Sequence, residues 1–240
     1  MKWTAILIPA ATSLMLASAP ASAALEKEDC RVSAAAFDPI VRYGEELVFD
    51  VWRNGTPVGE HRVTFRRDGD TVRVAAVFAL EVRFLGFAAY RYRYVSNSAW
   101  RGDCLVSLEA LVNDDGKQSR MMAVREGNQM RIAGGRGDVL APAGIFPTDH
   151  WHPGVLGTER VLNTLTGGIN RVRIDDRGAV RLPSATGTIA ARHYAYTGEL
   201  STEVWYDDAG RWVGMRFTGK DGSIVEHRCR SCAANMAAER

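Results

Sequence analysis

Glu203-Val204-Trp205-Tyr206-Asp207-Asp208-Ala209-Gly210-Arg211-Trp212-Val213-Gly214-Met215-Arg216-Phe217 is the stretch whose reading decides the fold. Two β-prone runs flank Asp207-Asp208-Ala209-Gly210, a short polar turn that closes on glycine, and this is the grammar of a β-hairpin. Asp207 and Asp208 invite a catalytic reading, but their place in a turn before Gly210 accounts for them.

The same grammar extends outward in both directions. Residues 46–53 alternate, with Leu47, Phe49 and Val51 on one face, and Asn54-Gly55 follows as a strong two-residue hairpin signal. Residues 58–67 return, Asp68-Gly69-Asp70 turns, and residues 71–84 run on, rich in β-branched side chains. Gly86 breaks that run before residues 88–100, where Tyr90, Tyr92 and Tyr94 share one face and Arg91 and Arg93 the other. Arg101-Gly102-Asp103 reads as a turn rather than an adhesion motif. Strands are expected at 104–113 and 117–125, with a shorter one through Ile132, and residues 134–137 read as a loose loop.

Residues 142–157 interrupt the pattern. There Thr148 could cap a short helical turn that Pro153 ends. Strand grammar resumes at 158–166 and 169–175, turns at Asp176-Arg177-Gly178, and continues through 186–197, 200–206, 211–218 and 223–229. Roughly a dozen strands joined by short turns, without a long helix, predict an all-β domain. Such a meander curls into a half-barrel or barrel-like sheet, with one short helical turn near 148–157.

The N-terminus carries an export signature. Met1-Lys2 precedes an uncharged, mostly apolar run from Ala5 to Ala17, and Ala21-Ser22-Ala23 offers a small-residue cleavage site. That run is too short to span a bilayer of about 30 Å. The expected organisation is a signal peptide at 1–23, a lead-in at 24–45 with no regular structure beyond a turn, one β domain at 46–229 and a tail at 230–240. The mature chain is expected to be periplasmic or secreted, without a transmembrane segment.

Lys and Arg number 30 against 28 Asp and Glu, and one of the basic residues lies in the leader. That balance gives no case for nucleic acid or for steering to an anionic surface. The arginines are interspersed with carboxylates along the strands, as on solvated faces. Four cysteines, Cys30, Cys104, Cys229 and Cys232, fit an oxidising compartment and two disulfides, with three pairings open. Cys229-x-x-Cys232 ends a strand rather than opening a helix, so it reads as structural rather than redox-active.

Asp149-His150-Trp151-His152 is the best enzyme candidate. A His-x-His on a strand would place the His150 and His152 imidazoles on one face, where a carboxylate could complete a metal triad. Against it, His61, His193 and His227 show no shared spacing that would supply a third ligand. No Gly-x-Ser-x-Gly elbow is present, and Gly134-Gly135-Arg136-Gly137 lacks the strand-to-helix setting of a phosphate loop.

The order of motifs resembles a bacterial exported family, the domain of unknown function 6134, over about Leu47 to Cys229. The resemblance rests on Leu47-Val48-Phe49-Asp50-Val51 and on Val58-Gly59-x-His61-x-Val63-x-Phe65. Tyr90-Arg91-Tyr92, Trp100-Arg101-Gly102, Leu105-Val106-Ser107-Leu108 and Asn113-Asp114-Asp115-Gly116 continue it. Trp205-Tyr206-Asp207 with Gly210-Arg211-Trp212-Val213-Gly214 completes it. The chain is also similar to a related uncharacterised exported family, 3108. The resemblance implies a periplasmic curled antiparallel sheet, loosely similar to lipoprotein carriers, and brings no catalytic residues or cofactor. Trp151-His152-Pro153 matches a Trp-Asn/His-Pro core of the family, and His150 departs from it, which argues against a shared metal site.

The expected role is therefore a non-enzymatic binding or carrier module. Its ligand would be apolar or lipid-like, or an envelope component, and Phe84, Tyr90, Tyr92, Tyr94 and Trp151 are the candidate contacts. The alternatives are a structural or assembly factor of the cell envelope, with an envelope protein as partner, and a metal-dependent hydrolase at His150 and His152.

Overall fold

The computed structural model describes residues 36–232 apart from 86, 136, 185 and 186. The expected leader, Cys30 and the end of the C-terminal tail lie outside the described residues.

The lead-in ends in a short helix, α1 (Pro39–Tyr43). Asp38 caps it, its carboxylate accepting from the Ile40 and Val41 amides, and Pro39 takes the first position, where its missing N–H costs nothing. The expectation of no regular structure here is corrected: Asp38-Pro39 is a helix start.

Eight strands then run as a meander: β1 (Glu46–Arg53), β2 (Thr56–Asp68), β3 (Thr71–Phe84), β4 (Phe87–Arg101), β5 (Cys104–Asp114), β6 (Lys117–Glu126), β7 (Gln129–Gly134) and β8 (Gly137–Pro142). A second series follows: β9 (Phe146–Pro147), β10 (Arg160–Leu162), β11 (Ile169–Ser184), β12 (Gly187–Gly198), β13 (Thr202–Tyr206), β14 (Trp212–Thr218) and β15 (Ile224–Ser231). All fifteen belong to one sheet in the order β8 to β1, then β15 to β9. Pairing is antiparallel except between β9 and β10. The first and last strands of the domain meet at the centre of the sheet, Val51 opposite His227.

The sheet twists and curls until its ends approach without closing by hydrogen bonds. Gly134 at the end of β7 packs on the loop before β11. A Cβ there would stand 3.1 Å from the Gly167 Cα and 3.0 Å from the Thr166 carbonyl, so any side chain would push the seam apart by a few tenths of an ångström. Alternation puts Leu47, Phe49, Val63, Phe65, Val74, Phe78, Leu108 and Val204 in the core. Outward-facing arginines pair with carboxylates, as Arg230 does with Asp50 and Glu60 and Arg62 with Glu46 and Glu60. Such exposed pairs each contribute about 0–1 kcal/mol.

The decisive hairpin forms as read. Asp207 closes its turn by accepting from the Gly210 amide and donating its own N–H to the Arg211 carbonyl. Elsewhere the turn reading is corrected. Asp176-Arg177-Gly178 is a bulge inside β11: Gly178, at φ 93°, donates its N–H to the Asp176 carboxylate, and the register against β12 shifts there. Asp-x-Gly serves a bulge as well as a turn, because both need a left-handed residue. Gly134 pairs with Gly137 at the end of the β7–β8 hairpin, so β8 was hidden behind a glycine-rich stretch. The strand expected at 158–166 shrinks to β10, because Asn163 starts a turn whose carbonyl accepts from Thr166 and Gly167.

Residues 143–157 cross one end of the curled sheet. Pro153 begins rather than ends a 3-10 turn, Pro153–Gly157. His152 is its cap, its Nδ1 accepting from the Gly154 amide at 3.0 Å. Thr148 instead faces Thr164, hydroxyl to hydroxyl at 3.2 Å.

Candidate functional site

The crossing segment plugs one end of the sheet. Trp151 is buried, with its ring in contact with Trp100, Phe65 and Phe37. The Tyr43 hydroxyl from α1 locks the plug: it donates to the Trp151 carbonyl at 2.7 Å and accepts from the Trp212 amide at 2.8 Å. On the far side the Tyr206 hydroxyl donates to the His150 carbonyl at 2.6 Å. Trp100, Trp151 and Trp212 are all fully buried, so this end is solid core.

Above the plug stands a cluster of histidines. His61 on β2 and His227 on β15 flank Phe49 and Trp212, with their ring centroids 5.2 Å apart. They are 8% and 2% exposed, and none of their four ring nitrogens has a hydrogen-bond partner. His150, at φ 60°, packs its ring against Tyr196 and Trp212, and its Nδ1 is likewise unpartnered. Burial in this apolar surround pushes the His61 pKa down to about 3 and that of His150 to about 4, and it depresses His227 as well. All three rings are neutral at pH 7. Asp149 is shifted the other way, up to about 6, by burial against only one hydrogen bond, from the Tyr94 hydroxyl at 3.2 Å.

The opposite end is an open mouth. A chain of ring contacts leads to it, from His227 to Phe78 at 5.0 Å and from Phe78 to Tyr92 at 5.3 Å. Across from it, Phe217 stands 6.1 Å from His227. Along β4 the tyrosine face becomes progressively wetter: Tyr94 is buried, while Tyr92 and Tyr90 are half-buried. Leu80 lies opposite Tyr92, and Val82 opposite Tyr90. Val82, Met215 and Phe217 are half-buried too. A cleft of about 820 Å³ beside Tyr92 opens instead mainly on the outward, arginine-bearing face, where Glu60, Ala79, Glu81, Arg91, Arg93 and Asn113 line it together with Leu80 and Tyr92. At the rim Asp114 accepts from the Tyr90 hydroxyl at 2.6 Å and from Lys220 at 3.0 Å. Those two hydrogen bonds hold its carboxyl below the usual range.

The residues expected to bind a ligand therefore separate. Tyr90 and Tyr92 line the mouth. Tyr94 and Trp151 lie in the filled interior. Phe84 ends β3, opposite Phe87. His150 and His152 do not share a strand face, as the backbone there is irregular and the rings have different neighbours. His152 stacks on Trp100, and its Nε2 meets the Asp103 carboxylate at 3.1 Å. With Nδ1 accepting from Gly154, Nε2 carries the proton toward Asp103. Among the described residues no three His, Cys, Asp or Glu side chains are arranged to hold a metal ion. Sequence reading missed the approach of His61 to His227. Each shows the inward parity of its strand, but their meeting depends on β15 pairing with β1.

Cys229 and Cys232 form a disulfide at the end of β15, Cys104 is also disulfide-bonded, and no described cysteine is free. The bridges fit an oxidising environment. Among the described residues no helix is long and apolar enough to cross a membrane.

No curated protein matches the chain. One similar solved structure is the crystal structure of a "Beta-barrel-like Protein of Domain of Unknown Function DUF1849 from Brucella abortus". It is 10% identical, with a TM-score of 0.55 over 80% of this chain and 97% of that one, and at this identity the likeness is one of fold. A sequence model of the domain of unknown function DUF6134 matches residues 49–230, from within β1 to within β15, with the plug, the histidines and the mouth between them. The chain belongs to the DUF6134 family.

Proposed function

We propose that the protein is a non-enzymatic binding module that acts after export, and that the mouth of its curled sheet takes an apolar segment such as an acyl chain. The observation that carries this reading is the half-buried apolar wall of Tyr90, Tyr92, Val82, Met215 and Phe217 above an interior that is otherwise filled. A wall of this kind can still bury area. Covering one such side chain fully is worth about 1.5–3 kcal/mol, and each buried methylene of an acyl chain adds about 0.8 kcal/mol from the ligand side. Tyr90 and Lys220 at the rim supply the few polar groups that would orient a ligand head, as in apolar pockets generally. The unpartnered His61 and His227 lie one ring below Tyr92 and supply no nucleophile or proton relay to solvent, which favours binding over chemistry.

The test is titration of delipidated protein with a fluorescent fatty acid. Saturable, near-stoichiometric uptake is expected, weakened at least tenfold by Tyr92→Asp. Absence of uptake by folded wild-type protein would sink the reading.

A further inference from the structure

Exposure on the inner face rises in steps from the plug to the mouth. Trp212 has no exposed area, His227 keeps 2%, His61 8%, and Phe78 and Leu80 9% each. The two histidines therefore stand where the filled interior gives way to the mouth. The strand register fixes their depth. His61 pairs with Phe78 and Phe78 with Tyr94, whereas Val82 pairs with Tyr90 at the rim. Val82 and Phe78 are four residues apart on β3, about 13 Å at strand spacing. A medium-length acyl chain spans that distance, and between Tyr92 and His227 it has one ring to displace, that of Phe78.

At that depth the pair is polar and unsatisfied. Both nitrogens of His61 and both of His227 are buried without a hydrogen-bond partner, and the ring centroids lie 5.2 Å apart. Buried polar atoms are nearly always satisfied, so unpaired nitrogens side by side call for a partner that enters from outside. Each neutral imidazole holds one N–H donor and one acceptor nitrogen. A hydroxyl between two such rings donates to one and accepts from the other, whereas a carbonyl can only accept. A carboxylate or phosphate is disfavoured there. No arginine or lysine among the described residues acts on either ring, so the charge would lie uncompensated in apolar surroundings. What an anionic head needs stands at the rim instead, in Lys220 and the Tyr90 hydroxyl beside Asp114.

We infer that the ligand of the mouth is an acyl chain with a hydroxyl at or near its far end, held between His61 and His227 while its anionic head stays at the rim. This preference rests on the reading of the mouth as an acyl site, and it names the class of chain that the site takes. His61 and His227 then set specificity. A plain chain that reaches the same depth leaves their nitrogens unpaired, and sites built to bond a hydroxyl discriminate against ligands that lack it.

The test is calorimetric titration of delipidated protein with dodecanoic acid and with ω-hydroxydodecanoic acid, joined to nitrogen NMR of the imidazoles. The hydroxy acid is expected to bind at least tenfold more tightly. That preference should fall below threefold in His61→Phe and in His227→Phe. In the wild-type protein the ring nitrogens of both histidines should shift with the hydroxy acid and stay in place with the plain one, a readout that holds even where a variant fails to fold. Equal affinity for the two acids would overturn the inference and leave the acyl reading of the mouth standing. Histidine resonances unmoved by saturating hydroxy acid would do the same. Binding of neither acid would instead sink the acyl reading, and this preference with it.

Discussion

His61 and His227 meet at 5.2 Å between ring centroids, on strands either side of β1, with every ring nitrogen buried and unpartnered. Buried polar groups are nearly always hydrogen-bonded, and an unsatisfied one costs about 1–3 kcal/mol. The pair is tolerable only while both rings are neutral.

The protein should therefore lose stability in mild acid. The folded-state pKa values of His61 and His150 lie at about 3 and 4, below the ordinary 6.5, and that of His227 is depressed too, so the unfolded chain binds more protons as pH falls below 6.5. Stability is full above pH 6.5 and falls as pH drops below it, by about 2 kcal/mol each for His61 and His150 at pH 5, and His227 adds in the same direction. Asp149 acts oppositely, because its raised pKa favours the folded state in acid and offsets part of the loss. Urea midpoints at pH 7 and pH 5 should differ clearly for wild type, and the difference should shrink in His61→Phe.

Tyr43→Phe should be costly for a one-atom change. The hydroxyl serves the Trp151 carbonyl and the Trp212 amide, both buried, and its loss strands both. A destabilisation of about 2–4 kcal/mol is expected in denaturant unfolding, from two unsatisfied groups. A neutral result would mean that water replaces the hydroxyl.

Gly59→Ala should disrupt the sheet more than any surface substitution. A Cβ at this position would stand 2.0 Å from the Ala79 carbonyl oxygen, so strand backbone must move. A loss of at least about 3 kcal/mol is expected, in the range of severe overpacking. Because Gly59 pairs with Leu80 beside the mouth, the refolded fraction should also bind fatty acid poorly.

The Cys229–Cys232 bridge closes a very short loop, so its removal should be mild. Chain entropy gives roughly 2 kcal/mol for so few residues. Cys229→Ser with Cys232→Ser should remain folded in thermal melts. The wild-type protein should show no insulin reductase activity, since the pair ends a strand rather than opening a helix.

Local chemistry made most of the strands legible. Asn54-Gly55, Asp68-Gly69 and Asp114-Asp115-Gly116 turn where their left-handed preferences require it, and the Tyr90-Tyr92-Tyr94 parity holds in β4. What sequence could not show was where neighbouring strands stop. Burial changes from Tyr94 to Tyr90 because β2 and β5 end near Leu80 and Tyr92, and that is a property of the sheet rather than of β4. For the same reason the sequence shows only a break at Gly86, and not that β3 and β4 outrun their neighbours there. The His61–His227 contact needed a pairing between the first and last strands, which no local pattern encodes. Pro153 was misread because proline both ends and begins helical turns, and the side chain of His152 decides which.

The central claim, a solid base and an open apolar mouth, is tested most directly by methyl NMR of methionine-labelled protein titrated with a fatty acid. Met215 at the mouth should shift in a saturable way, while the fully buried Met121 and Met130 stay fixed. Shifts confined to Met121 and Met130, or no shift at Met215 at saturating ligand, would contradict it.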